Sequence, residues 1–288
     1  MLGFISTPFN RERKVLKSFL VKTSIFIVVA YVAITAFMYL LQRDLVFKPN
    51  PLTPDPAEYA LSNVEIKTIV TEDKLKLKGW MLHSGVEGAP IIIFFHGNSG
   101  HIGHRIYKAK YMLEAGYDVF MAGYRGYGGN PGSPSEADLT KDAHAWMAWI
   151  SQRASLDQKP LIIYGESLGS GIAVKMAQKY PARALILDAP YSSLVDVAQD
   201  RYPILPVKYL MKDPFYSDQI VANISTPVLI AHGTKDTVIP IELGQKLFKT
   251  ANEPKRFIEI KGGRHDDLYD YNVFRDIDFF IKEHIQRY

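Results

Sequence analysis

Gly165-Glu166-Ser167-Leu168-Gly169 constrains this chain more than any other stretch, because of what flanks it. Leu161–Tyr164, just before it, is a short apolar run with the pattern of a strand buried on both faces. From Leu168 to Tyr180 the spacing is helical, and Pro181 stops it. A strand that turns directly into a helix around G-x-S-x-G holds its serine on a sharp bend. The flanking glycines remove side chains that such a bend would not accommodate. The helix N-terminus favours negative charge developing beside it. Five residues of this kind also occur in ordinary loops, and the strand and helix on either side decide for a nucleophile.

The same alternation extends along the chain. Val64–Val70 and Leu75–Leu82 predict an antiparallel opening pair, turned at Glu72–Lys74. Ile91–Phe95, Tyr117–Ala122, Ala184–Leu187, Val228–Ala231 and Phe257–Ile260 read as further strands. Helical spacing covers Ile102–Ala115, Glu136–Ser151 with Ser135 as N-cap, Ile241–Thr250 and Val273–His284. Buried strands alternating with helices predict a mostly parallel sheet covered on both faces, with ligands at the carboxyl ends of its strands. Tyr191–Ile220 breaks the rhythm. It is longer than a usual connection and rich in Tyr, Leu and Pro, so residues 191–220 are expected to form a lid of short helices.

A serine hydroxyl needs a base to become a nucleophile. His265 follows the last strand in a glycine turn, Gly262-Gly263-Arg264-His265, and is the candidate for Ser167. The base needs a carboxylate to fix its tautomer. Asp236 follows the strand Val228–Ala231, and Asp188, at another strand end, is its rival. His232 also ends a strand but lies just ahead of Asp236. The tetrahedral intermediate needs N–H donors. Leu168, directly after the serine, and Asn98, after the strand Ile91–Phe95, are the candidates for this oxyanion hole. His101 and His104 stand three apart without an evident carboxylate or further histidine, so they are expected to be solvated at a helix start rather than metal ligands.

Thr23–Leu41 is an uncharged apolar run. As a helix it reaches roughly 28 Å at about 1.5 Å per residue, close to the hydrocarbon thickness of a bilayer. A buried core helix of this length usually carries a polar face, and a cleaved signal peptide usually has a shorter apolar region. An uncleaved anchor is therefore expected over residues 23–41. Arg11, Arg13, Lys14, Lys17 and Lys22 precede the run, whereas Arg43 and Lys48 follow it. The positive-inside rule then puts residues 1–22 in the cytoplasm and the remainder on the extracytoplasmic side: periplasm, exterior or lumen. Pro49, Pro51, Pro54 and Pro56 mark residues 42–59 as an extended linker. Residues 60–288 suit one large domain. The net charge of +4 comes largely from the N-terminus, so no nucleic-acid surface is indicated. With no cysteine, disulfides, thiolate catalysis and cysteine-ligated metals are excluded.

His96-Gly97-Asn98, Tyr124-Arg125-Gly126-Tyr127-Gly128, Gly165–Gly169, His232-Gly233-Thr234-Lys235-Asp236 and Gly262–His265 together resemble the Bem46-like α/β-hydrolases. These are similar to the eukaryotic alpha/beta hydrolase domain-containing proteins. The likeness runs from residue 60 to the C-terminus. It implies an α/β-hydrolase fold and hydrolysis of ester, thioester or related acyl bonds without a cofactor. The implied substrates are small molecules, lipids or acylated proteins. The family often has Asp before Tyr-Arg-Gly, where this chain has Gly123, so Arg125 is expected to lack its usual buried partner. The cysteine cluster by which some depalmitoylating relatives are lipidated is absent. Two other classes share the fold: a serine peptidase, and a non-catalytic membrane scaffold. No appended propeller or large cap supports the peptidase. A scaffold has no use for the Ser, Asp and His together.

Overall fold

The computed structural model describes residues 8–61, 64–156 and 158–285. The chain divides into two compact units, one ending at Gln42 and the other beginning at Arg43. Helix α1, Pro8–Val46, contains the whole of the first unit's described part. None of its most apolar window is buried, and Phe26 is 73 % exposed, which a core helix would not be. The helix is long and apolar enough to cross a membrane.

The second unit is an α/β-hydrolase fold. Its strands in chain order are β1 (Lys48–Pro49), β2 (Val64–Val70), β3 (Lys76–Leu82), β4 (Ile91–Phe95), β5 (Ser99–Gly100), β6 (Asp118–Ala122), β7 (Leu161–Glu166), β8 (Ala184–Asp188), β9 (Val228–Gly233) and β10 (Lys255–Ile260). Eight of them form one sheet in the order β10-β9-β8-β7-β4-β6-β3-β2. The sheet is parallel from β6 through β10, and β3 pairs antiparallel with both β2 and β6. The helices are α2 (Ile106–Glu114), α3 (Glu136–Leu156), α4 (Leu168–Lys179), α5 (Leu194–Arg201), α6 (Val207–Leu210), α7 (Ser217–Val221), α8 (Ile241–Thr250) and α9 (Val273–Ile285).

Strand β4 shows why apolar runs were needed at the centre. Its side chains alternate between faces. Ile91, Ile93 and Phe95 join Trp146, Met147, Ile172 and Leu247 from α3, α4 and α8. Ile92 and Phe94 join Met112, Ile277 and Phe280 from α2 and α9. Each such side chain contributes roughly 1.5–3 kcal/mol by leaving water. The chain leaves β4 for β6 on one side and returns to β7 on the other, so β4 and β7 flank the point where strand order reverses. Crevices at such points bind ligands.

Three expectations are corrected here. Residues 43–59 are not a free spacer, because they belong to the second unit. Phe47 is buried in its core, β1 pairs with β5, and Pro56–Tyr59 is a short 3-10 helix capped by Asp55. Arg125 does not lack a partner. It donates to buried Asp142 at 2.6 Å and to Asp73 at 2.8 Å. Gly123 stands where it does for space, since a Cβ there would lie 2.0 Å from the Lys78 carbonyl oxygen. His101 is buried rather than solvated, stacked on His104 with ring centroids 4.0 Å apart.

Candidate active site

Ser167 sits between β7 and α4 with φ 50 and ψ −119. A non-glycine residue at such angles is strained, and the surrounding contacts must hold it there. Its own N–H donates to the Asp188 carbonyl at 2.8 Å, tying the turn to the end of β8. Gly165 and Gly169 leave no side chain on either side of the bend.

The three residues singled out by chain order form a chain of hydrogen-bond distances through His265. His265 Nε2 is 2.8 Å from Ser167 Oγ, and His265 Nδ1 is 2.7 Å from Asp236 Oδ2. An ionised carboxylate only accepts, so Nδ1 carries the proton and Nε2 accepts from the serine hydroxyl. Asp236 Oδ1 accepts from the N–H groups of Val238 and Ile239 at 2.8 and 2.9 Å. Burial alone would raise the Asp236 pKa. Hydrogen bonds from His232 and His265, with the Ile239 N–H, outweigh burial and hold it well below the usual carboxylate range. Asp236 is thus charged and fixed in direction.

Asp188, the rival acid, is engaged elsewhere. Its Oδ2 accepts from Lys108 Nζ at 2.6 Å and from the Tyr164 hydroxyl at 2.7 Å. Lys108 also pairs with Glu166 at 3.1 Å, and Arg105 donates to Glu166 at 3.0 Å. This buried cluster lies beneath the serine turn. Burial works to raise the Glu166 pKa, but Lys108 and Arg105 pull it down to about 2. Burial works to lower the Lys108 pKa, and the two carboxylates overcome it, so the ammonium stays charged.

Leu168 is the first residue of α4, and its N–H has no intrahelical acceptor. Asn98 follows β4 on the other side of the crevice. Its side chain donates to the Val46 carbonyl at 2.9 Å, and its carbonyl accepts from the Lys48 N–H and the Tyr127 hydroxyl, both at 2.9 Å. Among the described residues no acceptor takes the Asn98 N–H. Both Leu168 and Asn98 line a cavity that also contains Ser167.

Two cavities meet at the serine. One, of about 340 Å³, is lined mainly by apolar side chains, among them Leu45, Val46, Tyr191, Leu194, Val197, Met211 and Ile239, with Arg201 its charged member. Helix α5 and the stretch after it supply much of this wall. The other, of about 560 Å³, is polar and is lined by Ser99, His104, Glu166, His265, Asp266, Asp267 and Asp270. Among the described residues no group of three or more metal-binding side chains converges.

Sequence reasoning missed two features. His232 Nε2 lies 3.3 Å from Asp236 Oδ2 and 2.9 Å from the Ile239 carbonyl oxygen, so it braces the acid and its loop together. Its place four residues before Asp236 was the available signal. Leu45 and Val46 enter the cavity wall from a segment that reads as linker.

A family model described as the alpha/beta hydrolase fold matches residues 90–225. An uncharacterised protein of Mycobacterium tuberculosis is 35 % identical over 257 residues, covering 86 % of this chain and 92 % of its own length. Lysophosphatidylserine lipase ABHD12 of Danio rerio is 37 % identical over 204 residues, covering 64 % of this chain and 53 % of its own. The solved esterase Pf2001 of Pyrococcus furiosus superposes with a TM-score of 0.68 at 18 % identity, over 82 % of this chain and 99 % of that one. Fold, motifs and relatives agree: the chain belongs to the α/β-hydrolase fold family, among the Bem46-like alpha/beta hydrolase domain-containing proteins.

Proposed function

We propose that this protein is a membrane-anchored serine hydrolase that cleaves carboxylic ester or thioester bonds, with a lipid or acylated substrate. The Ser167–His265–Asp236 chain of hydrogen bonds, at 2.8 and 2.7 Å, carries this reading. Ser167 attacks the acyl carbonyl while His265 Nε2 takes its proton. Asp236 stabilises the imidazolium that forms. The N–H groups of Leu168 and Asn98 receive the oxyanion, each donor contributing on the order of 10²–10³ in rate. His265 then protonates the leaving alcohol or thiol, and water releases the acyl group by the same steps in reverse.

The two cavities suggest how the substrate divides. The apolar one suits an acyl chain, and the polar one suits a hydroxyl-bearing or charged leaving group. Three residues of sequence separate the apolar run, ending at Leu41, from Leu45 in the cavity wall. Lipid ester cleavage by the related Danio rerio lipase points the same way.

An acyl-ester series of increasing chain length tests the substrate class. kcat/KM is expected to rise with chain length, and Ala198→Trp is expected to lower long-chain hydrolysis about tenfold or more while short-chain esters change little. Uniform preference for short soluble esters removes the lipid assignment. We further propose that the hydrolase unit lies on the extracytoplasmic side. A C-terminal alkaline phosphatase fusion is expected to be active, and an inactive one with active cytoplasmic reporters would reverse the orientation.

A further inference from the structure

We infer that residues 46–50, which begin at the last residue of helix α1, are a positioning element of the active site: they hold the loop that carries the Asn98 oxyanion donor. This rests on the serine hydrolase reading above. An oxyanion hole works because its donors are already aimed before charge develops. The loop after β4 is poorly suited to do that alone. It contains Gly97 and Gly100, the latter at φ 81, and glycine leaves a peptide plane free to turn.

The structure shows what restrains it. Strand β1 pairs in parallel with β5, Lys48 opposite Ser99 and Pro49 opposite Gly100. Lys48 N–H donates to the Asn98 carbonyl at 2.9 Å, and Asn50 N–H donates to the Gly100 carbonyl at 2.9 Å. The Asn98 side chain donates back to the Val46 carbonyl at 2.9 Å. Asn98 is thus gripped through its side chain and its carbonyl, which leaves its N–H little freedom of direction.

The gripping segment is itself fixed at both ends. Arg43 Nε donates to Asp213 at 2.9 Å, and the other oxygen of Asp213 accepts from the Glu136 N–H at 2.8 Å. Phe47 is 3 % exposed in the core. Gly128 N–H donates to the Asn50 carbonyl at 2.8 Å. Among the described residues the two-residue strands β1 and β5 pair with each other, apart from the main sheet, so their pairing bears on the loop rather than on the fold as a whole.

Full-length Lys48→Pro removes one backbone donor and nothing buried, because the Lys48 side chain is exposed. Lys48→Ala loses the same side chain but keeps the N–H. The reading is the ratio between the two. Lys48→Pro is expected to show kcat about tenfold below Lys48→Ala, with KM within about twofold. Affinity for an arylboronic acid, which forms a tetrahedral adduct on the serine, is expected to fall by the same factor. A folded Lys48→Pro that matches Lys48→Ala in kcat and in boronate affinity overturns the inference while leaving the nucleophile assignment intact. If Lys48→Pro does not fold, Asn98→Ala keeps the N–H at residue 98 and cuts the bond to Val46. It is expected to lower kcat and boronate affinity at near-constant KM, and unchanged values overturn the inference equally. A wild-type protein with no esterase activity and no covalent labelling is a different outcome, the failure of the underlying reading.

Discussion

Ser167→Ala is expected to abolish covalent labelling by a fluorophosphonate and to lower kcat by about ten-thousandfold or more. The reagent reacts with a serine only where a neighbouring base activates the hydroxyl. In the proposed mechanism that base is His265, 2.8 Å away, with the Asp236 carboxylate 2.7 Å from its other nitrogen. His265→Ala is expected to cost about as much, and the double variant little more, because groups acting as a unit lose their joint effect once. Asp236→Asn should also cost several orders of magnitude. An amide can donate to Nδ1 and would leave the proton on Nε2, where it cannot accept from Ser167. Rates and probe labelling measured side by side check the set. Retained labelling in Ser167→Ala would move the nucleophile elsewhere and end the proposed mechanism.

Lys108→Met is expected to cost about 3–5 kcal/mol of stability at pH 7. The ammonium is 2 % exposed and lies between Asp188 at 2.6 Å and Glu166 at 3.1 Å. Removing it leaves two carboxylates buried with, among the described residues, Arg105 on Glu166 as the remaining charged partner. For a chain of this size the melting temperature should fall by roughly 10 °C. The pH dependence gives a second check. Glu166 has a folded-state pKa depressed from 4.5 to about 2. A depressed carboxylate contributes stability that is present above its unfolded pKa and lost as pH falls through the folded one. The gap between wild type and Lys108→Met should therefore be full at pH 7 and shrink as pH drops from about 4.5 towards 2. Melts at pH 7 and pH 3 showing equal gaps would contradict the charge argument.

Local patterns carried most of the architecture. Ile91–Phe95 and Leu161–Tyr164 are apolar without interruption because both faces of a central strand are covered, and that is readable from composition alone. Ser167, Asp236 and His265 were legible as an order along the chain, each just past a strand, and the parallel sheet gathers such positions at one edge. Contacts that depend on which strands are neighbours were not legible. Lys108 looks like any lysine on a helix until β7 and β8 bring Glu166 and Asp188 beneath it. The segment 42–59 has prolines that exclude a long helix and say nothing of where an extended chain docks. Phe47, 3 % exposed, is where it docks into the core. Gly123 misled for the same reason. Absence of a nearby Asp suggested a stranded arginine, whereas Asp142 reaches Arg125 from α3.

Helix α4 lies hard against the end of β4. A Cβ at Gly169 would come within 2.1 Å of the Phe95 carbonyl oxygen and 2.7 Å of that of His96. The gap between the Ser167 turn and the loop after β4 is therefore set by main chain touching main chain, with no side chain in between to lengthen or shorten. Under the proposed reading, substrate preference is set in the cavity walls, among them the helical stretch from Tyr191 to Met211.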